Sequence, residues 1–181
     1  LLVAAVRRDM AGRAVGRLGA ARGREVRRGG GLAVRSWIGS LARASLDVDL
    51  VALTSEARGH LLDELREAGF VVGESSGWWR GMRHGAEGRE VVDVGSHPVV
   101  HPRTFDQIEL RALPRADDGG LWVVGVDDLA YMKLCAGRDQ DLLDLCLLAA
   151  HAAPSPAAIA AAARLDDVER LCARSAIEAR F

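Results

Sequence analysis

Residues 27–53 read RRGGGLAVRSWIGSLARASLDVDLVAL. Three glycines, Gly29 to Gly31, precede a segment with helical spacing, and two aspartates, Asp47 and Asp49, then stand two apart inside an apolar run. Side chains alternate along a strand, so both carboxylates face one side while Val48 and Leu50 face the other. Two neighbouring like charges repel, and burying both without compensation is costly. A divalent cation resolves the conflict, and hard Mg²⁺ prefers carboxylate oxygens together with phosphates. A solvent-exposed edge strand is the alternative, made uncomfortable by apolar neighbours on both sides.

A third carboxylate, Asp93, lies mid-run in REVVDVGSH, again flanked by valines. If its strand pairs beside the first, Asp93 joins Asp47 and Asp49 around a metal. Such a site clamps a triphosphate and lowers the barrier to attack at its α-phosphorus. The glycines fit the same chemistry. A short strand (REVRR), a glycine turn and a helix start leave exposed amides and a positive dipole end where phosphate can sit. No Gly-Lys-Ser/Thr follows, so the turn is not a Walker-type loop.

These residues carry a resemblance. GGLAVRSWIGSLARASLDVDLVAL resembles the signature of the polymerase β-like nucleotidyltransferases, and is most similar to the AbiEii branch, the toxins of type IV toxin–antitoxin systems, including MenT-type enzymes. Gly30, Gly31 and Ala33 match the first part of that pattern; Arg43, Ser45, Asp47 and Asp49 match the second. Downstream, DLAYMKLCAGRDQDLLDL resembles the later motif. Lys133, the only lysine of the chain, takes the lysine position, Asp141 and Asp144 the aspartates, and Gln140 stands where arginine is common. Leu32 replaces the usual Ser or Thr, leaving Ser36, Ser40 and Ser45 as nearby hydroxyls.

The resemblance implies Mg²⁺ or Mn²⁺ on Asp47, Asp49 and Asp93. It implies a nucleoside triphosphate, pyrimidine by preference, on Gly30, Gly31, Arg43, Ser45, Lys133 and Asp144, with Arg138 close by. Asp47, Asp49, Lys133 and Asp141 take catalytic roles, and the third catalytic acid stays open between Asp93 and Asp141. The implied acceptor is the 3′ end of tRNA, whose blockage halts translation, and the implied partner is a cognate antitoxin. Two other readings stand. One is a small-molecule nucleotidyltransferase of the aminoglycoside type; the other is a non-catalytic RNA- or protein-binding member of the fold.

Elsewhere the chain is less specific. With 181 residues, 49% apolar and 27% charged, it reads as a folded domain rather than a disordered one. The charge is uneven: ten arginines fall in residues 1–45 against Asp9 and Glu25. That suits either a polyanion such as tRNA or a solvated helix face. Cys135, Cys146 and Cys172 lack metal-ligand spacing and read as buried free thiols. The uncharged run 145–163 contains His151, Pro154 and Pro156, which argues against a membrane span and for a cytoplasmic protein. In HPVVH, Pro98 and Pro102 oppose the helical spacing that would make His97 and His101 metal ligands. Only one of the adjacent Trp78 and Trp79 can face a core; the other covers a sheet face or stacks on a base.

The pattern predicts helices over 2–20 and from Leu32, then the DVD strand. A helix capped by Ser55 and ended at Gly69 follows. FVVGESSGWWRGMRH and REVVDVGSH form a hairpin through GAEG, and FDQIELRAL and LWVVG pair through PRADDGG. Helices follow at about 128–136, 139–152, 156–164 and 166–179. The expected class is α+β, a mixed β-sheet flanked by helices: a core over 1–126 and a helical C-terminal part over 127–181 packed on it.

Overall fold

The DVDLVA run becomes the middle strand of a sheet. The computed structural model describes residues 25–39, 45, 47–75, 77–85, 88–100, 107–116, 121–152 and 154. Strand β1 (Val26–Arg28) pairs antiparallel with β2 (Asp47–Ala52). Beyond β2 come β3 (Val71–Ser75), β4 (Trp78–Gly85) and β5 (Gly88–Ser96), with β5 parallel to β2 and β4 antiparallel to both β3 and β5. Val99–Val100 (β6) and Gln107–Ile108 (β7) form a separate two-stranded ribbon, and Arg115–Ala116 (β8) pairs with Trp122–Val123 (β9), which runs parallel to β1. The main sheet has the order β3-β4-β5-β2-β1-β9-β8.

The helices are α1 (Gly30–Ile38), α2 (Ser55–Glu67), α3 (Val126–Ala136) and α4 (Asp139–His151). Alternation in β2 divides the layers. Val48, Leu50 and Ala52, with Val92 and Val94 of β5, pack under Ala57, Leu61, Leu62 and Leu65 of α2. On the other face Val51 meets Val99, Ile108 and Cys135, and α3 covers it through Tyr131 and Met132. Ala33 and Val34 of α1, Val123, Leu129 of α3 and Leu148 of α4 close a second core beside it. The acids of β2 therefore point toward α3.

Several expectations change. The cap of α2 is Thr54, whose hydroxyl oxygen accepts from the Ala57 amide at 3.1 Å, while Ser55 is already helical and bonds Glu56. A cap must reach the amide three residues on, and Thr54 is the residue placed to do so. FVVGESSGWWRGMRH is two strands, β3 and β4, rather than one. FDQIELRAL does not pair with LWVVG: β7 turns back onto β6, because Val99 and Ile108 bury together over Val51. Pro114 lies between β7 and β8 and has no amide to give a ladder. Of the three cysteines, Cys135 is buried and Cys146 half-buried, both as free thiols, and Cys172 lies outside the described residues. The expected helices at 2–20, 156–164 and 166–179 also lie outside the described residues. No helix among the described residues is long and apolar enough to cross a membrane.

Candidate active site

The sheet register assembles the acids. Asp49 of β2 stands directly beside Asp93 of β5, and Asp47 lies two residues back on the same face. One oxygen from each of the three carboxylates lies within 4.8 Å of the other two. The Ser45 hydroxyl donates to Asp47 Oδ1 at 2.8 Å. Arg80 of β4, opposite Asp93 in the next ladder, grips both of its oxygens, with Nε to Oδ1 at 2.6 Å and Nη2 to Oδ2 at 2.7 Å. That bond holds the Arg80 guanidinium above its usual range. Burial, then the charges of Asp47 and Asp93, push the Asp49 carboxyl up to about 7, against a partial pull downward from Lys133 and Arg138. Three converging hard oxygen donors, one of them raised into the neutral range chiefly by burial, are a donor set that fits a divalent cation. The trio can hold a metal ion.

The glycines are built against this trio. The Gly29 amide donates to the Asp49 carbonyl at 2.8 Å, and α1 begins at the next residue without a side-chain cap. Gly30 has φ +57°, and a Cβ there would overlap the Asp49 carboxylate and lie 2.8 Å from Asp49 Cβ. Glycine at 30 is thus needed twice, for left-handed backbone and for the close approach of a carboxylate. The helix start is brought to the acids by the absence of a side chain.

Lys133, buried on α3, is clamped. Its ammonium donates to Asp141 Oδ1 at 2.9 Å and lies 2.7 Å from Asp144 Oδ2, and both carboxylates are fully buried on one face of α4. Asp141 also accepts from the Arg138 Nε at 2.6 Å and from the Arg138 amide, so it closes the first turn of α4. Burial alone would raise the Asp141 carboxyl, but Arg138 and Lys133 outweigh it and hold it below the ordinary range.

Gly29, Gly30, Gly31, Ser45, Asp47, Asp49, Asp93, Lys133 and Asp141 line one cleft of about 710 Å³. Asp144 stands behind Lys133 rather than on the cleft wall, and Arg43 lies outside the described residues. The nearby hydroxyls divide: Ser36 is bonded to the Leu32 carbonyl within α1, Ser45 reaches the cleft, and Ser40 is outside the described residues. His97 meets Glu109 at 3.1 Å, and His101 lies outside the described residues. Sequence reasoning missed Arg80. The signal was present, because the register that pairs Gly85 with Gly88 across the turn also pairs Arg80 with Asp93. It also left Trp78 unassigned between faces. Trp78 lies on the acid side, its indole N–H donating to the Val100 carbonyl at 2.9 Å and its ring so close to Gly95 that a Cβ there would sit 2.9 Å away. With Val99, Val100, Ile108 and Met132 it makes the apolar end of the cleft. Trp79 faces the α2 core, with the Arg58 guanidinium 4.5 Å from its ring centre.

No protein-family model matches the chain, and no curated protein does. Solved structures do. The chain is similar to ANT(2″)-Ia in complex with adenylyl-2″-tobramycin, at 17% identity and a TM-score of 0.57, over 96% of this chain and 97% of that one. It is similar also to the solution structure of the antibiotic-resistance factor ANT(2″)-Ia, at 13% identity and a TM-score of 0.55, over 93% and 89%. A Helicobacter pylori protein assigned as a nucleotidyltransferase matches at 15% identity and a TM-score of 0.51, over 82% of this chain and 68% of that one. The described chain has a nucleotidyltransferase-like α+β fold, shared with these solved structures.

Proposed function

We propose that the protein transfers a nucleotide from a nucleoside triphosphate to a hydroxyl acceptor, and that the acceptor is the 3′ end of tRNA. One observation carries the transfer reading: the acid trio, the glycine turn and Lys133 meet in a single cleft. In the reaction the acceptor hydroxyl gives its proton to a trio carboxylate or to solvent, its oxygen bonds the α-phosphorus, the bond to the bridging oxygen of the β-phosphate breaks, and pyrophosphate leaves. A divalent cation on Asp47, Asp49 and Asp93 would offset the triphosphate charge and favour attack by the acceptor oxygen.

The chain's own groups divide the remaining work. Gly29 to Gly31 bring the start of α1, with its free amides and positive dipole end, beside the phosphates. Lys133, held by two carboxylates, keeps its ammonium in place to offset charge on the departing pyrophosphate. Both oxygens of Asp141 are engaged by Lys133 and Arg138, which supports a positioning role for Asp141, while the convergence of Asp93 with Asp47 and Asp49 favours Asp93 as the third acid. Asp144 positions Lys133 in the same way.

The tRNA acceptor and the toxin class rest on the motif resemblance and on the arginines of residues 1–45; a cognate antitoxin and a pyrimidine donor rest on the resemblance alone. Charge in the cleft does not separate the two acceptors: Asp47, Asp49, Asp93 and Asp141 line it together with Arg80, Lys133 and Arg138, and each of these cations is paired with one of those acids. A second reading, a small-molecule acceptor, is favoured by the near-complete mutual coverage with ANT(2″)-Ia. A polycationic aminoglycoside needs free carboxylates, and of the four that line the cleft Asp93 and Asp141 are taken by Arg80, Lys133 and Arg138.

Incubation with each labelled nucleoside triphosphate, Mg²⁺ and either total tRNA or aminoglycosides tests the choice. Label on RNA is expected. Label on the drug would favour the second reading, and transfer to neither would overturn both.

A further inference from the structure

Asp93 has a partner that the transfer chemistry above leaves without a task. The Arg80 guanidinium occupies both oxygens of Asp93, and those oxygens belong to the same trio that converges within 4.8 Å. The two partners differ in setting. The Arg80 side chain is 55% exposed, whereas that of Asp93 is 11% exposed. Asp93 is held by the sheet; Arg80 reaches it from the cleft, which both residues line. The guanidinium also lies in the field of Asp47 and Asp49 as well as Asp93. Among the described residues Arg80 is the cation bonded directly to this acid trio, with Lys133 and Arg138 acting on Asp49 from further off, and a divalent ion bound there would take its place. Two cations on one carboxylate repel, so Arg80 and a metal compete for Asp93.

Resting on the metal-site reading of the previous section, we propose that Arg80 is the resident counter-ion of the acid trio: it occupies Asp93 while the site holds no metal, gives Asp93 up as the metal binds, and turns its guanidinium to the triphosphate oxygens. Its exposure leaves it free to rotate, and a planar fork that fits a carboxylate also fits a phosphate. Arg80 is thereby a switch between two anions rather than a fixed support of Asp93. A support would make the opposite prediction, since removing it would disorder a ligand and weaken metal binding.

Binding of Mn²⁺ alone, followed by its electron paramagnetic resonance signal or by calorimetry, reads the first half. Arg80→Gln is expected to bind Mn²⁺ about tenfold more tightly than wild type, because a competing positive charge has gone. Binding of a non-hydrolysable nucleoside triphosphate with Mg²⁺ reads the second half, and there the same variant is expected to bind about tenfold more weakly. Opposite signs are the signature. Arg80→Lys keeps the charge without the two-point grip, so it should lie between wild type and Arg80→Gln in both assays; it also serves if the glutamine variant loses its fold. Unchanged or weakened Mn²⁺ binding in both variants would overturn the counter-ion role. Wild type that binds no Mn²⁺ would overturn the metal site itself, a different failure.

Discussion

Asp49 is the residue on which the chemistry turns. Burial and two neighbouring carboxylates raise its carboxyl to about 7, so a bound cation would displace the proton it holds below that pH. Asp49→Asn keeps the shape and removes the charge. We expect it to abolish Mn²⁺ binding and lower transfer by at least about 1,000-fold, since metal-assisted charge stabilisation is lost. The same variant should melt higher than wild type in chelator at pH 8, because it also removes like-charge repulsion. Asp47→Ala should likewise end transfer while circular dichroism stays native; surviving transfer would sink the metal assignment. Gly30 and Gly39 make a matched pair. Both have positive φ, but a Cβ at 39 meets nothing within 4 Å whereas one at 30 strikes Asp49. Gly39→Ala should cost about 1 kcal/mol from backbone strain alone. Gly30→Ala should cost clearly more in denaturant melts and also weaken Mn²⁺ binding. Equal effects would show that the approach to Asp49 does not matter.

At the scale of elements, α3 and α4 are joined by charge as well as by Ala130, Leu134 and Leu145. Lys133 on one helix and Asp141 and Asp144 on the other are buried together, so removing one partner strands another. Asp144→Leu should destabilise by roughly 1–3 kcal/mol, because Lys133 loses one of its two carboxylates and keeps Asp141. Adding Lys133→Met to it should recover part of that loss, and a double-mutant cycle on urea midpoints reads the recovery. No recovery would mean that Asp141 alone compensates Lys133. Periodicity made α1, α2, α3 and α4 legible in advance, together with the strands that carry Asp47, Asp49 and Asp93. The short strands were not legible. A two-residue ribbon such as β6–β7 is chosen by what Val99 and Ile108 bury against, which no local pattern contains.

For the whole molecule, linkage gives the pH dependence. The Asp49 carboxyl ionises near 3.8 when exposed and near 7 in the fold, so between those values the folded chain holds an extra proton. Stability in chelator should therefore fall as pH rises from about 4 to about 7 and level off above, by an amount on the order of 10 °C in Tm. Mg²⁺ should remove most of the decline, because it stabilises the ionised form. A melting curve that is flat with pH in chelator would contradict the burial of Asp49 beside its fellow acids. Charge at long range belongs to the same scale. If the arginines of residues 1–45 hold RNA, neutralising Arg22 and Arg24 should flatten the salt dependence of tRNA binding by about 0.7–0.9 in log–log slope per lost phosphate contact, whereas Arg27 and Arg28 are half-buried on β1 and are left intact. An unchanged slope would remove that segment from the interface.

Spacing and alternation alone determined that Asp47 and Asp49 share a face, that a third acid was available at Asp93, and that glycines precede a helix ahead of them. These are properties of neighbours along the chain, set by the two-residue and 3.6-residue periods of the backbone. Only the tertiary structure decided which strand lies beside β2, that Asp93 meets Asp49, that Arg80 covers Asp93, and that Lys133 is clamped rather than free. Register across a sheet and packing between helices depend on burial summed over residues far apart in sequence, and a carboxylate acquires its charge state only from the groups that burial places around it.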